Sequence, residues 1–588
     1  MGKHWQFQPH DASQVQHLHQ SGGIAPVVAQ LLVSRGISDI AAAERFLDAR
    51  MSDLRDPELL PGLEAAARRV HEATRAGKKI TIFGDYDADG MTSTAILLRG
   101  LRVLNADVDF YVPSRIDEGY GLNTTALEAL AERGTNLVIT VDCGIASLEE
   151  AAKARQLGME IIITDHHEML ETLPPADNIV HPGLPGHDYP FLGLCGAGVA
   201  FKLIWRVCQL QSNSKRVSDR LRNYLLSAMG LAAIGTVADV VPLVDENRVL
   251  VRHGLKTLKA TPTIGIEALM RVAGVDKKPE LSAEDVAFMM APRLNAAGRL
   301  GKGEMGIELL STDSYDRAEE LARHIDELNA TRMTVEREIT QAARDQAKEQ
   351  FCPIEDQPAL VLAGRGWHPG VIGIVAGRLS DQFYRPTIVI SQDEQGNDLA
   401  MGSGRSIPGF NLNKALHHCR QHLVKHGGHA AAAGLRVSDD KISDFRTAFC
   451  EYVASQLTAD DYTPHLQIDA EASLSMLTLK VVKQLEKMAP FGQDNRRPTL
   501  CARGVSLGNQ PKRMGRGEKH LSVMLEQNEV RLRAVAFNQG DWADTMQAHG
   551  GSFDIAYRPV LNEFNGRRSV ELHLVDWKPA ERVRNVAG

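Results

Sequence analysis

Hydrophobic residues between Lys79 and Glu168 form three continuous runs, separated by segments long enough for helices. The runs are KITIF (79–83), NLVITV (136–141) and MEIIIT (159–164). Uninterrupted Ile and Val runs of this length are typical of parallel strands that are buried on both faces. Their alternation with helix-length segments predicts an open α/β sheet.

A polar cluster follows each of these runs directly. GDYDADG (84–90) follows the first run, DCG (142–144) the second and DHHE (165–168) the third. Ligands of open α/β sheets bind outside the carboxyl ends of the strands. We therefore expect the three clusters to converge in one crevice.

Two later segments have the pattern of long helices. LLSAMGLAAIGTVADVVPL (225–243) is helical up to Asp239 and is stopped by Pro242, which adds Asp239 to the candidates for the crevice. Residues 314–350 read as one polar helix that would reach ~55 Å at the usual rise per residue. A helix so long and so charged is expected to bridge two lobes.

The remaining chain contains two further patterns. PALVLAGRGWHPGVIGIVAGRLSDQFYRPTIVIS (358–391) has strand, Gly-rich turn, helix and strand character, which predicts a second, smaller α/β domain. After DDYTP (460–464), short strand-like runs alternate with basic turns and predict a small β-barrel. The expected divisions are a helical lead-in (1–65), a larger α/β domain (66–313), a connecting helix (314–353), a smaller α/β domain (354–456) and the barrel (460–580).

Composition is that of an ordinary globular chain, with 43% hydrophobic and 24% charged residues among 588. The seven cysteines are scattered without a CxxC pair, which argues against disulfides and against a thiolate zinc site. No run approaches the ~18–20 apolar residues of a membrane span, and the first residues lack the apolar core of a secretory signal. We expect a cytoplasmic protein that does not engage a membrane.

Charge is unevenly distributed along the chain. The net charge is −8, yet residues 496–588 contain 15 Lys and Arg against 10 Asp and Glu. Phosphate backbones are bound mainly through Lys and Arg, so the basic C-terminal segment keeps nucleic acid among the expected ligands. Acidic residues elsewhere are consistent with bound divalent cations, which reverse the local field.

The residue types in the predicted crevice suit hard divalent cations. Carboxylates with one or two imidazoles favour Mn²⁺ or Mg²⁺ over structural zinc. Two ions about 3.5–4 Å apart would polarise a phosphoryl group and lower the pKa of a water molecule. A lone DYDAD could equally bind calcium or cap a helix, but acidic or His clusters after three successive strands favour metal-assisted phosphoester hydrolysis.

Four motifs, GDYDADG, VDCG, DHH and ADVVPL, resemble in this order those of the DHH phosphoesterase superfamily. KHGGHAAAAG (425–434) resembles the glycine-rich motif of its DHH-associated domain. With SRIDEGYGLN (114–123), APRLNAAGR (291–299) and the basic C-terminal segment, the resemblance covers nearly the whole chain and is closest to the RecJ-like exonucleases. It implies a DHH-type parallel-sheet catalytic domain and a smaller α/β DHH-associated domain joined by a long helix, with a C-terminal OB-fold barrel.

The resemblance also implies an activity and a set of site residues. The activity is degradation of single-stranded DNA from 5′ to 3′ into mononucleotides, in recombination and repair. Two Mn²⁺ or Mg²⁺ ions would be held by Asp85, Asp87, Asp89, Asp142, His166 and Asp239, with Asp142 as the bridge. His167 would join these catalytic residues by contacting the scissile phosphate, while Asp165 would orient the histidines.

Substrate contacts are expected from three further groups. Gly427, Gly428 and His429 fit a phosphate contact, because small residues let backbone N–H groups approach an anion; close helix packing is a compatible alternative. Ser403 and Arg405, with Arg115, are candidates for the 5′-terminal phosphate. Arg293, Asn295 and Arg299 are candidates for the backbone of the entering strand.

The barrel is expected to follow single-stranded DNA electrostatically. Its basic residues include Lys512, Arg513, Arg516 and Lys519, and its aromatic residues are few, so phosphate contacts should outweigh base stacking. Two other motifs give only weak indications of a binding site. The histidines between His417 and His429 follow no zinc spacing, and GLCGAGVAFK (193–202) lacks the GK[ST] ending of a phosphate loop.

Partners implied by the resemblance are single-stranded DNA, a single-strand-binding protein and a helicase. Independently of the resemblance, we expect a closed multi-domain monomer. One alternative keeps the chemistry and changes the substrate to short oligonucleotides or cyclic dinucleotides, which leaves the basic barrel without a role. Another is a catalytically silent DNA-binding scaffold, which would require loss of metal ligands that are present here.

Overall fold

The computed structural model of the chain describes residues 3–114, 118–119, 121–393, 399–564 and 566–580. These residues fold as two compact units. The larger unit comprises Leu54–Pro242 and Glu246–Thr463, and the smaller comprises Met1–Asp53, Leu243–Asp245 and Pro464–Gly588. In the described part of the chain, no helix is both long and apolar enough to cross a membrane.

The N-terminal segment contains one short strand and three helices. Two of the helices begin at aspartates, Asp11 and Asp39, whose side chains accept hydrogen bonds from backbone amides of the first turn. The elements are β1 (His4–Phe7), α1 (Ala12–Gly22), α2 (Pro26–Val33) and α3 (Ile40–Asp48).

The larger unit begins with a five-stranded sheet whose strands are all parallel and are ordered β3-β2-β4-β5-β6. Every residue of β2 and β4 is buried, as the continuous hydrophobic runs predict. The strands are β2 (Ile80–Gly84), β3 (Val108–Tyr111), β4 (Leu137–Val141), β5 (Glu160–Thr164) and β6 (Asn178–Val180). The predicted open α/β sheet is confirmed.

Helices pack around this sheet, and α5 and α9 pack against each other. The predicted helix before Asp239 is α9, which ends with Asp239 as its C-cap. A π-helical turn, Val286–Met290, precedes α13. The helices are α4 (Leu63–Arg75), α5 (Ala88–Val103), α6 (Thr124–Glu132), α7 (Leu148–Gln156), α8 (Gly196–Gln211), α9 (Asp219–Ala238), α10 (Asp245–Ala260), α11 (Ile264–Val272), α12 (Ala283–Asp285), α13 (Ala291–Arg299) and α14 (Gly303–Ser311).

The long polar helix is α15 (Tyr315–Gln350), which has 36 residues and is capped by Ser314. It packs against α11, α13 and α14, and also against the first elements of the second α/β domain. In its second half, Ile339, Ala343 and Ala347 contribute to the core of that domain. The helix therefore connects two lobes of the larger unit.

The second α/β domain contains a mixed sheet ordered β10-β11-β9-β8-β7, in which only β7 and β8 are parallel. Its first three elements are the strand, helix and strand that the sequence predicts. The elements are β7 (Leu360–Arg365), α16 (Ile372–Phe383), β8 (Thr387–Gln392), β9 (Ala400–Arg405), α17 (Leu412–His418), β10 (Lys425–Gly428), β11 (Ala432–Val437) and α18 (Ile442–Gln456).

The C-terminal part of the smaller unit is a curled sheet. One of its strands, β14, pairs with β18 and also with β16, so the sheet closes on itself as a barrel consistent with an OB-fold. The elements are β12 (His465–Ile468), β13 (Ala470–Glu471), α19 (Leu479–Glu486), β14 (Leu500–Leu507), β15 (Lys512–Met514), β16 (His520–Gln527), β17 (Val530–Ala536), α20 (Trp542–His549), β18 (Phe553–Phe564) and β19 (Arg567–Pro579).

The N-terminal helices belong to this barrel unit. Leu18, Val28 and Leu31 share one hydrophobic core with barrel residues such as Leu521, and β1 pairs with β12. This grouping differs from the separate lead-in (1–65) expected from the sequence. Helices of 8–11 residues cannot bury their apolar faces alone, and the barrel supplies the missing surface.

Candidate metal centre

The register of the parallel sheet brings three of the predicted clusters to the same level. Gly84, Val141 and Thr164 are aligned across β2, β4 and β5. The residue that follows each of them is an aspartate: Asp85, Asp142 and Asp165. All three carboxylates are buried at this edge of the sheet.

The first motif is shaped by two helix starts. Asp87 caps α5, since its side chain accepts hydrogen bonds from the amides of Asp89 (2.9 Å) and Gly90 (3.0 Å). The buried carboxylate of Asp89 accepts from the amides of Gly196 (2.7 Å) and Ala197 (2.9 Å), at the start of α8. The positive end of the α8 dipole therefore faces Asp89. Sequence reasoning missed Gly196; the glycines of GLCGAG were the available signal.

His166 lies where the remaining acidic side chains meet. Its Nε2 is 3.1 Å from Asp142 Oδ1, 3.5 Å from Asp239 Oδ2 and 4.0 Å from Asp89 Oδ2. Asp142 has a φ of 61°, a left-handed conformation that residues with a side chain seldom adopt. Backbone strain of this kind concentrates at functional sites.

Potential ligand atoms at this edge form three overlapping groups. Within each group, all the ligand atoms lie within 4.8 Å of one another. One contains Asp85, Asp87 and Asp142, and a second contains Asp89, His166 and Asp239. The third combines Asp142, His166 and His167 and so joins the first two. This arrangement fits two neighbouring divalent cations better than one.

Burial and mutual repulsion act strongly on these carboxylates. Burial, followed by the charge of Asp87, raises the pKa of Asp89 to about 6. Burial and the charge of Asp89 raise the pKa of Asp239 to about 8, and they raise that of Asp142 well above its ordinary value. Burial lowers the pKa of His166 to about 4, which keeps its imidazole neutral. A neutral imidazole among carboxylates that repel one another is the donor set that divalent cations stabilise.

Asp165 positions His166 and His167 through hydrogen bonds. It accepts hydrogen bonds from the amides of His166 (2.7 Å) and Ile145 (3.0 Å) and from His167 Nδ1 (2.7 Å). Burial alone would lower the pKa of His167, but the hydrogen bond and charge of Asp165 raise it to about 9. The carboxylate of Asp165 therefore favours the protonated form of the His167 imidazole.

The 291–299 segment contacts the first motif and the second α/β domain. Asn295 Oδ1 accepts a 2.8 Å hydrogen bond from the amide of Ala88, so this side chain holds the motif. Arg299 Nη1 donates to the carbonyl of Gly370 at 3.0 Å, just before α16. Arg293 donates to Asp326 Oδ1 at 2.9 Å and to two backbone carbonyls, which commits its guanidinium to helix packing.

Ser403 and Arg405 lie under the first turn of α16. A Cβ at Gly373 would lie 2.9 Å from Ser403 Oγ and 3.2 Å from Arg405 Nη2, so the helix start directly covers both side chains. Arg405 Nη1 also donates to Ser403 Oγ at 3.3 Å. A helix N-terminus beside a hydroxyl and a guanidinium is an anion-binding arrangement. The predicted partner Arg115 lies outside the described residues.

The glycine-rich motif forms the exposed edge of the same sheet. Gly427 pairs with Gly434 of β11, which in turn pairs with Ser403 of β9, so the three residues lie side by side. His429 Nδ1 is 3.8 Å from Glu168 Oε2, one residue after His167. The motif that includes Gly428 therefore lies next to the third acidic cluster.

The histidines between His417 and His429 do not form a metal site. Within the described ranges, every group of ligand atoms close enough for one ion lies at the carboxyl edge of the parallel sheet. The rings of His417 and His426 are 5.7 Å apart. GLCGAGVAFK likewise contacts Asp89 rather than offering its amides to a ligand phosphate.

Models of three known families match the chain. The DHH family, N-terminal domain, matches residues 79–233; the DHHA1 domain matches 356–455; and the RecJ OB domain matches 468–576. These ranges contain the acidic clusters, the glycine-rich motif and the barrel, respectively. The DHH, DHH-associated and OB architecture expected from the sequence is confirmed.

Relatives match over nearly the whole chain. The single-stranded-DNA-specific exonuclease RecJ of Bacillus subtilis is 39% identical over 97% of this chain and 70% of its own. The RecJ of Haemophilus influenzae is 36% identical over 94% of this chain and 96% of its own. The crystal structure of Thermus thermophilus RecJ with Mn²⁺ has a TM-score of 0.81 and 31% identity, and covers 98% of this chain and 80% of that chain. The chain therefore belongs to the RecJ family of single-stranded-DNA-specific exonucleases.

Proposed function

We propose that this protein is a metal-dependent exonuclease that degrades single-stranded DNA from its 5′ end into mononucleotides. The observation that carries the proposal is the pair of ligand groups, one containing Asp142 and the other His166, which lie side by side at the edge of the parallel sheet. RecJ of Thermus thermophilus binds Mn²⁺ and, in a second structure, Mg²⁺. The same two ions suit the carboxylate and imidazole donors found here.

The proposed ligands are Asp85, Asp87, Asp89, Asp142, His166 and Asp239. Two Mn²⁺ or Mg²⁺ ions at these side chains would supply the positive charge that polarises the phosphodiester and lowers the pKa of the attacking water. His167 contributes a charge of its own. Asp165 accepts from its Nδ1, which leaves Nε2 to donate to an oxygen of the scissile phosphate.

Polarity is proposed to come from recognition of the 5′-terminal phosphate by Ser403, Arg405 and the first turn of α16. Arg115 is retained in this proposal, and Gly427, Gly428 and His429 are proposed to contact the next phosphates. Water attack on the second phosphorus breaks its bond to the first O3′. The products are one 5′-mononucleotide and a strand that again ends in a 5′ phosphate, so the same contacts serve each cycle.

The barrel unit offers an aromatic contact for the strand as well as basic ones. Phe537, at the end of β17, is 53% exposed, and its ring lies edge-on to His520 and His573 at 5.6 and 5.1 Å between centroids. Exposed aromatic rings on OB-folds stack on bases. This modifies the expectation that phosphate contacts dominate there.

The working context of the enzyme is also a proposal. Resemblance to RecJ-like enzymes supports action beside a helicase and a single-strand-binding protein, and we propose that the enzyme acts in the cytoplasm as a monomer. Co-purification of these two proteins with the tagged chain, compared with a matched unrelated tag control, tests the partners. Analytical ultracentrifugation tests the monomer.

The activity is tested with a long 5′-phosphorylated single strand labelled at its 3′ end. With Mn²⁺ or Mg²⁺ we expect unlabelled 5′-mononucleotides to be released first and the 3′ label last. We expect no release in the presence of EDTA and none by the Asp142→Ala variant. A matched blunt duplex should resist. Early release of the label contradicts 5′ polarity, and degradation of the duplex at the same rate contradicts strand specificity. Turnover of di- to tetranucleotides alone would indicate the hydrolase of short oligonucleotides instead.

A further inference from the structure

A cavity in the DHH domain lies between α5, α9 and the end of α14, at the ends of α5 and α9 that are remote from the metal ligands. It has a volume of about 430 Å³. Its lining includes Arg99 and Arg102 near the end of α5, Arg220 and Ser227 in the first half of α9, and Asp313 just after α14. This volume lies within the range of small-molecule binding sites.

The cavity concentrates positive charge that the protein compensates only in part, through Asp313. Across the described ranges, Arg99, Arg102 and Arg220 have no carboxylate oxygen within 4.0 Å. By contrast, Arg69 and Arg206 on the same domain pair with glutamates. With Asp313 as the one carboxylate in the lining, the three guanidiniums leave a local charge of +2. A phosphomonoester carries close to −2 at neutral pH.

Arg99 shows that this charge is partly withdrawn from solvent. Its side chain is half-buried, and its Nη1 donates to Ser227 Oγ at 3.3 Å. Burial lowers its pKa, since a desolvated guanidinium lacks its hydration. A half-buried cation is costly unless a counter-ion accompanies it, and Arg99 and Arg220 are placed to share one from two helices.

We infer that this cavity binds a small phosphomonoester, and its volume favours a 5′-mononucleotide over inorganic phosphate. Guanidiniums of Arg99 and Arg220 hold the phosphate, with Ser227 as a further hydrogen-bond partner. Arg102 and Asn223 border the remaining space, which accommodates the sugar and base. The inference needs no catalytic activity and holds whether or not the proposed function is correct.

Both helices that supply the arginines also supply metal ligands. Asp87 and Asp89 begin α5, and Asp239 ends α9. Arg99 is ~15 Å from Asp89 along the α5 axis at the usual rise per residue. The hydroxyl of Tyr224 in α9 donates to the carbonyl of Ile96 in α5 at 2.5 Å, which ties the two helices together at the cavity. The cavity and the metal ligands therefore lie at opposite ends of the same two helices.

The test is a calorimetric titration of the full-length protein in EDTA with dAMP and, separately, with inorganic phosphate. EDTA removes the divalent ions through which the metal centre would hold a phosphate. We expect dAMP to bind, and Arg220→Gln and Arg99→Gln each to weaken binding at least tenfold. Arg222→Gln removes the same charge from an exposed position of α9 outside the cavity lining and should leave binding unchanged. Arg220 is exposed, so its variant tests the site even if Arg99→Gln fails to fold.

Phosphate binding as tightly as dAMP would retain the phosphate site and overturn the preference for a nucleotide. No binding of either at millimolar concentration, or equal affinity in all variants, would overturn the inference. If Arg220→Gln instead weakens binding of a single-stranded oligonucleotide and not of dAMP, the cavity is a contact for the DNA strand. Nucleotide release by Arg220→Gln at low product concentration should match that of the unaltered protein.

Discussion

The carboxylate of Asp89 accepts a 2.7 Å hydrogen bond from the amide of Gly196, so the start of α8 holds a ligand side chain of the first motif. A Cβ at Gly196 would lie 2.6 Å from Cβ of Asp142 and 2.7 Å from its Oδ1. The backbone amide of Gly196 therefore holds Asp89, in the first turn of α5, and the absence of a side chain at Gly196 leaves room for Asp142, which follows β4.

We expect Gly196→Ala to displace Asp142 and to lower kcat/KM by about 10²-fold, because small displacements of reacting groups are that costly. Binding of Mn²⁺, measured by calorimetry, should weaken in parallel. Gly198→Ala is the matched control on the same helix, since the nearest atom to its Cβ would be Cδ2 of Leu194, at 3.2 Å, and not a metal ligand. Equal activity of the two variants would contradict this role of Gly196.

Arg405→Gln tests the proposed recognition of the 5′ phosphate. Loss of a bidentate guanidinium should reduce the preference for 5′-phosphorylated over 5′-hydroxyl strands about tenfold, with little change for the 5′-hydroxyl strand. The measurement is the ratio of initial rates on the two strands. Arg436→Gln, on neighbouring β11 and exposed, should keep the ratio of the unaltered protein. A rate loss that is equal for both strands would assign Arg405 a structural role.

Phe537→Ala tests base stacking on the barrel. Removal of one stacking ring should weaken binding of single-stranded DNA about tenfold, since stacking contributes roughly 1–3 kcal/mol per base. Fluorescence anisotropy with the metal removed measures this binding without turnover. Phe7→Ala removes a ring that is 38% exposed and lies under Arg503 instead, and it is expected to bind normally. Unchanged affinity of the Phe537 variant would leave phosphate contacts as the basis of binding.

Glu160 provides a pH-dependent contribution to stability away from the metal centre. Hydrogen bonds from Arg69 and Lys78, opposed by burial, lower its pKa from 4.5 to about 2. Because the folded-state pKa lies below the unfolded one, this stabilisation is complete above about pH 4.5 and is lost as the pH falls toward 2.

At pH 7 we expect Glu160→Gln to destabilise the larger unit by about 1 kcal/mol, a value reduced by solvent screening of the partly exposed pairs. The difference in melting temperature from the unaltered protein should shrink as the pH is lowered from 4.5. Glu128→Gln, which removes a single exposed pair with Lys153, should have little effect at either pH. A difference that stays constant with pH would exclude the ionised carboxylate as its source.

The sequence alone determined the parallel sheet and the convergence of its acidic clusters. Short continuous Ile and Val runs between helix-length segments favour central strands, and parallel strands place their carboxyl ends at one edge, so Asp85, Asp142 and Asp165 were expected to meet. The same patterns predicted α15, the second α/β domain and the barrel strands. In each case the information is local, because periodicity and turn residues act over a few neighbouring positions.

Only the tertiary structure decided which groups support that edge. Gly196, 107 residues from Asp89, caps its carboxylate, and Asn295, 207 residues from Ala88, holds its loop. The tertiary structure also placed α1–α3 in the barrel unit and brought Arg99 and Arg220 to one cavity. These are contacts between segments far apart in the chain, and one sequence does not reveal them, because any exposed arginine or helix-starting glycine looks the same until the packing of the helices selects its neighbours.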